Sequence, residues 1–208
     1  MEFDIDELLI HGKVPSQDKL LPAGFRSRFS LGDVHQLGLA VPDVLASARR
    51  LEAAGIGPFF IAEDDLNFWI ERGERRFYHG KMGMATFKGY ELELLEAGRG
   101  STFYSEFFDP RGRIALHHVG FLDHRIEDRI KQLNDGGIET GVRGRIKAGP
   151  LTGDFAYMDA RGDTGLYVEF IDQRLFGFPV RPATAFMSAA AKFLKLTGLN
   201  QIRMGRKN

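Results

Sequence analysis

The sequence predicts an α+β protein built from two halves that share one order of elements. Three observations carry this reading. Residues 34–96 and 115–171 each run strand, helix, then several further strands. Each half ends on a strand with a carboxylate at its middle, Glu93 in YELELLE and Glu169 in LYVEFI. A polar residue on the opening strand precedes that carboxylate by 57 positions in the first half (Gln36) and by 51 in the second (His118). This is an internal repeat of pattern rather than of identity.

The chain has 208 residues, with 43% hydrophobic and 27% charged side chains, ordinary values for a globular protein with a sizeable core. It has no cysteine, which excludes disulfides, thiolate metal sites and cysteine nucleophiles. Its formal net charge is zero, which argues against a general nucleic-acid binder. The start, MEFDIDELL, is acidic and lacks a signal-peptide core. No stretch approaches the roughly 20 apolar residues of a membrane span. These features lead to the expectation of a cytoplasmic protein with no stable membrane insertion.

In chain order, residues 1–32 are read as an N-terminal arm, punctuated by Pro15, Pro22, Gly24 and Gly32, with a short helix over Asp4–Ile10. The arm either lies on the domain or is a leader. The first module spans 33–98. Its strand Val34–Val41 has Leu37, Leu39 and Val41 on one face and Gln36, Gly38 and Ala40 on the other. His35 falls with the apolar set, at the strand entrance or buried with a partner. Asp43 caps a helix over Val44–Ala54, and Gly55 suits its end. Gly57–Ala62 and Leu66–Ile70 read as strand, Arg72–Arg76 as a loop or hairpin turn, and Phe77–Phe87 as one or two strands. Tyr90–Glu96 packs with Tyr90, Leu92 and Leu94, so Glu91 and Glu93 point the other way. Glu91 suits a solvated position; Glu93 sits deeper between leucines.

Residues 99–113 form a linker, with a helix over Ser101–Phe108 capped by Ser101. The second module spans 114–174. Its strand Ala115–Asp123 contains adjacent histidines, which a regular strand sends to opposite faces. His118, Gly120 and Leu122 look into the space opposite the packing face, while His117, Val119 and Phe121 pack. A helix over Arg125–Asn134, the strands Ile138–Ile146 and Ala156–Asp159, and the final strand Leu166–Ile171 follow. The tail, 175–208, carries six basic residues and no acid from Val180 onward, with an amphipathic helix over Thr184–Leu196.

Gln36, Glu93, His118 and Glu169 thus lie mid-strand, each facing away from the apolar positions that flank it. One imidazole and several oxygens suit a divalent cation of hard or intermediate character. Two carboxylates would balance its charge. Without such a partner, buried carboxylates are costly or take up protons.

The segments HQLGLAVPD (35–43), LELLEAG (92–98), LHHVGF (116–121) and GLYVEF (165–170) resemble the vicinal oxygen chelate superfamily, the group of glyoxalases, bleomycin-resistance proteins and dioxygenases. The order LELLEAG, linker, LHHVGF is most similar to its methylmalonyl-CoA epimerase-like branch. The likeness covers about residues 34–172, leaving out the arm and the tail. It implies two βαβββ modules forming a cup-shaped mixed sheet around one divalent ion (Co, Mn, Mg, Ni or Zn). The ligands it implies are Gln36, Glu93, His118 and Glu169. Gln36 departs from the histidine usual in the epimerase branch, and it spoils the ligand set of a dioxygenase. The implied activity is abstraction of an α-proton from a carbonyl or thioester substrate through a metal-stabilised enolate. Glu169 is the expected base and Glu91 the second candidate, with Tyr78 and His79 also considered. The alternatives are a glyoxalase I-like lyase with a thiol cofactor and a metal-free small-molecule binding module. A small-molecule substrate and a homodimer are expected. Arg111, Arg113, Arg143, Arg145 and Lys147 are candidates for phosphate contacts, and Phe59, Phe60, Phe68 and Trp69 for an apolar cup wall.

Overall fold

The computed structural model describes residues 3–180 and 202–203. The helix expected over Thr184–Leu196 lies outside the described residues. The arm folds into three short helices, α1 (Ile5–Ile10), α2 (Gln17–Leu20) and α3 (Ala23–Arg28). Asp4 caps α1 by accepting from the backbone N–H of Asp6 and Glu7. Ile5, Leu9, Leu20, Leu21, Phe25 and Phe29 are buried in the main core. Gln17 pins the arm further: its amide nitrogen donates to the Tyr90 hydroxyl at 3.0 Å, and its oxygen accepts from the Val34 N–H at 2.8 Å. The arm therefore lies on the domain.

The first half runs β1 (Gln36–Ala40), α4 (Val44–Ala53), β2 (Phe60–Glu71), β3 (Glu74–Phe87) and β4 (Tyr90–Leu95). Asp43 caps α4 by accepting from the Ala46 N–H at 2.8 Å. The two runs expected around Asp65 are one strand, β2, and Phe77–Phe87 belongs to one strand, β3. The hairpin turn between them narrows to Arg72 and Gly73, both at positive φ, as the right-handed strand twist requires.

The second half runs β5 (Ala115–Leu122), α5 (Ile126–Asp135), β6 (Thr140–Ala148), β7 (Leu151–Met158), α6 (Arg161–Thr164) and β8 (Tyr167–Leu175). Two short strands, β9 (Phe178–Pro179) on β8 and β10 (Ile202–Arg203) on β2, complete the sheet. The expected linker helix is not formed. Ser101 donates its hydroxyl to Glu71 at 2.6 Å and accepts from the Phe103 N–H, and only Ser105–Phe107 makes a 3-10 turn. The aromatic residues of this segment go into the protein interior instead of lining one helix face.

The strands follow the order β2-β3-β4-β1-β5-β8-β7-β6, and β6 pairs again with β2. The cup is thus closed along one side, with Phe68 opposite Arg145 and Glu71 opposite Val142. Pairing repeats about the centre. β1 and β5 are antiparallel neighbours, and each lies parallel to the last long strand of its own half, β4 and β8. The architecture is α+β, two βαβββ units in one curled mixed sheet.

Two cores result. The outer face of the sheet packs its aliphatic residues, Leu37, Leu39, Leu92, Leu94, Val119 and Val168 among them, against the helices. The inside of the cup holds a second cluster, rich in rings: Trp69, Tyr78, Phe103, Tyr104, Phe155, Tyr157 and Tyr167.

Candidate metal centre

Four adjacent strands, β4-β1-β5-β8, build the site in two rows. In one row Gly38 has Glu93 on one side and His118 on the other, and Tyr167 follows. In the next row Gln36 lies between Glu91 and Gly120, and Glu169 follows. Each row contains one glycine, and each glycine leaves room for a functional side chain. A Cβ on Gly38 would lie 1.7 Å from Cε1 of His118, and one on Gly120 would lie 2.7 Å from Oε1 of Gln36 and 3.3 Å from Oε2 of Glu169. The first contact is impossible and the second would force the Gln36 amide to move, so the imidazole and the Gln36 oxygen occupy space that a larger residue would fill.

One donor atom each from Glu93, His118 and Glu169 lies within 4.8 Å of the others, and all three side chains are buried. Nε2 of His118 is 3.1 Å from Oε2 of Glu169 and 3.4 Å from Oε2 of Glu93. A divalent ion with bonds of about 2.1 Å sets neighbouring ligands roughly 3 Å apart, so the spacing fits. Among the described residues, the buried side-chain atoms without a hydrogen-bond partner gather inside the cup. They include Gln36 Oε1, Glu91 Oε2, Glu93 Oε2, His118 Nε2 and Glu169 Oε2. An unmade hydrogen bond at a buried polar atom costs about 1–3 kcal/mol, so such a gathering fits a cation-binding set. This His/Glu group could hold a metal ion.

The electrostatics agree. Burial, together with the charges of Glu169 and Glu91, pushes the Glu93 carboxyl upward against the pull of His118. Burial alone would lower His118, but the Glu169 and Glu93 carboxylates carry it upward. Three ionisable groups therefore share too little solvent, a strain that a divalent charge relieves. The Tyr104 and Tyr157 hydroxyls are 3.1 Å apart, and the Tyr157 ring lies 4.9 Å from that of His118; burial first, then Tyr78 and Glu93 for Tyr104 and Glu169 for Tyr157, raises both well above the usual phenol value, and they stay protonated.

Of the four expected ligand residues, Glu93, His118 and Glu169 bring their donor atoms together here. Gln36, outside the trio, is buried beside Gly120 with its oxygen free. Glu91 is not solvated. It is buried, with Oε2 3.3 Å from Nε2 of His35, which lies half-buried at the strand entrance. Tyr78 commits its hydroxyl to the Glu96 carbonyl at 3.0 Å. His79 points away from the cup, toward Glu63 and Asp65. Of the proposed wall only Trp69 is in the cup: Phe59 belongs to the outer core, Phe60 is half-buried, and Phe68 lies exposed under the Arg145 guanidinium. The basic residues do not converge. Arg111 and Arg113 bind Asp109, Arg143 binds Glu127, Arg145 binds Asp154, and Lys147 is exposed.

The adjacent histidines correct the strand reading. β5 carries a bulge: Gly38 pairs with His118 and Leu39 with Leu116, so His117 is left without a partner in the register. Both imidazoles therefore face the cup, and their Nδ1 atoms are 3.0 Å apart. A signal existed in the sequence. Leu116 shares parity with His118 yet packs in the outer core with Val119 and Phe121, which a strict alternation forbids. Tyr104 and Tyr157 carried no signal, because a linker tyrosine and a strand tyrosine become neighbours only when the cup closes.

No family model matches this sequence, and no curated protein matches it. Solved structures do. A methylmalonyl-CoA epimerase of Streptomyces coelicolor is 18% identical, with a TM-score of 0.46, over 66% of this chain and 94% of that one. A hypothetical protein of Bacillus halodurans is 18% identical, with a TM-score of 0.44, over 67% of this chain and 92% of that one. A mutant 4-hydroxymandelate synthase of Streptomyces coelicolor is 11% identical, with a TM-score of 0.49, over 78% of this chain and 54% of that one. Each is a likeness of fold. The chain's own topology is two βαβββ halves paired through β1 and β5 and wrapped around one interior, the arrangement that the sequence resemblance implied.

Proposed function

We propose that this protein is a divalent-metal-dependent enzyme that removes and returns an α-proton of a carbonyl or thioester substrate, as an epimerase or isomerase does. The observation that carries the reading is the buried trio Glu93, His118 and Glu169, whose donor atoms crowd within 4.8 Å. In this reading Gln36 is the fourth ligand. The bound ion supplies Lewis-acid stabilisation of the charge that develops on the carbonyl oxygen. The chain supplies the rest. Glu169 takes the α-proton and returns it, and Glu91, buried outside the trio, is the second candidate for that role. His35 holds Glu91 in place. The aromatic floor excludes water from the far side of the site.

The test is elemental analysis of the purified protein, repeated on His118→Ala, followed by exchange of substrate α-hydrogen in deuterated solvent. Expected are one divalent ion per chain, its loss in the variant, and solvent deuterium in the substrate without added thiol. A reaction that runs only with thiol moves the assignment to a glyoxalase-like lyase. Absence of the ion, with no response to added divalent salts, moves it to a metal-free binding module.

A further inference from the structure

Burial and metal ligation do not by themselves fix which nitrogen of His118 carries a proton or how its ring is turned. Nε2 is the nitrogen that faces Glu169 and Glu93. Nδ1, on the other side of the ring, faces only Nδ1 of His117, at 3.0 Å, because the β5 bulge turns both rings the same way. An imidazole that gives Nε2 to a cation holds its proton on Nδ1, and that proton then needs an acceptor.

We propose that His117 is a positioning residue for the metal centre: its Nδ1 accepts the Nδ1–H of His118 and so holds His118 in the tautomer and ring orientation that present Nε2 as a ligand. The inference rests on the metal-centre reading above. Three observations support it. His117 is fully buried, with its Nδ1 3.0 Å from Nδ1 of His118. Its ring is fixed by other rings, with Phe107 at 4.6 Å, Phe103 at 5.0 Å, Tyr167 at 5.1 Å and Tyr104 at 5.2 Å between centroids. Its Nε2 has no hydrogen-bond partner. Packing alone therefore asks only for a flat ring at this position, and the nitrogen that meets His118 is what a phenyl ring would lack. Three of the four rings come from the linker, which gives this segment a task at the site.

The experiment is calorimetric titration of the full chain with Co2+, together with the visible absorption of the bound ion. His117→Phe keeps a ring but removes the acceptor. His117→Asn gives up the ring but places an amide oxygen near the position of Nδ1. We expect His117→Phe to lose about 10- to 100-fold in Co2+ affinity and to shift the absorption bands. We expect His117→Asn to recover most of that loss. Wild-type affinity and bands in His117→Phe overturn the inference, and so does an equal loss in both variants. If His117→Phe does not fold, His117→Asn decides alone: near-wild-type affinity supports the role and a loss beyond tenfold overturns it. Wild-type protein that takes up no Co2+ removes the metal-centre reading, and the inference with it. Uptake with His117→Phe unchanged removes the inference only.

Discussion

The two faces of the central sheet differ in chemistry although they share the same strands. The outer face is aliphatic and covered by helices: Leu37, Leu39 and Val41 of the first strand region meet Val44, Ala48 and Leu51 of α4 in one cluster. The inner face is aromatic and polar, and its glycines are as necessary as its side chains. On β1 the two faces alternate residue by residue, so neighbouring positions obey different rules. The outer face is stabilised by area removed from water, a non-directional effect that tolerates imprecision. The inner face holds orphaned polar atoms in fixed positions, where stability is given up for a geometry that a ligand can complete.

Substitutions on the two faces should therefore separate stability from ion binding. The largest stability loss is expected for Leu39→Ala on the outer face, about 2–5 kcal/mol in urea unfolding, with the metal content of the folded protein unchanged. Its neighbour Gly38→Ala should cost about 1–3 kcal/mol, because the new methyl meets the His118 ring, and should also abolish ion binding. Intact binding in Gly38→Ala would break the contrast. Glu93→Gln should remove bound metal in elemental analysis while the metal-free protein keeps its fold by circular dichroism. The smallest effect is expected for Glu106→Gln, which cuts the hydrogen bonds to Arg72 at 2.8 Å and the looser contact to Arg161 at 3.4 Å. These cations are half-exposed, so the loss should stay under about 1 kcal/mol with no change in Co2+ affinity.

Much of the fold was legible because the outer face writes itself into every second residue. Leu37 and Leu39, Leu92 and Leu94, and Val168 and Phe170 mark their strands by period, and Asp43 and Gly55 bound α4 by the capping needs of a helix. Those same periods placed Gln36, Glu93, His118 and Glu169 opposite the packing positions; the donor atoms of Glu93, His118 and Glu169 lie within 4.8 Å of one another, and Gln36 lies beside Gly120. The linker was misread because Ser101 and its aromatic neighbours resemble a capped helix locally, while ring burial inside the cup outweighs helix propensity. The wall was misread because Phe59 and Phe68 are apolar in sequence whichever face they take.

The sequence by itself determined the repeated strand and helix order and the side of the sheet on which Gln36, Glu93, His118 and Glu169 stand, because side-chain alternation and helix capping are local properties of a few adjacent residues. Only the tertiary structure decided that the cup closes through β2 and β6, that a bulge turns His117 beside His118, and that a linker tyrosine lies next to the site. Those outcomes depend on pairing register and on the packing of rings distant in sequence, which no local pattern encodes.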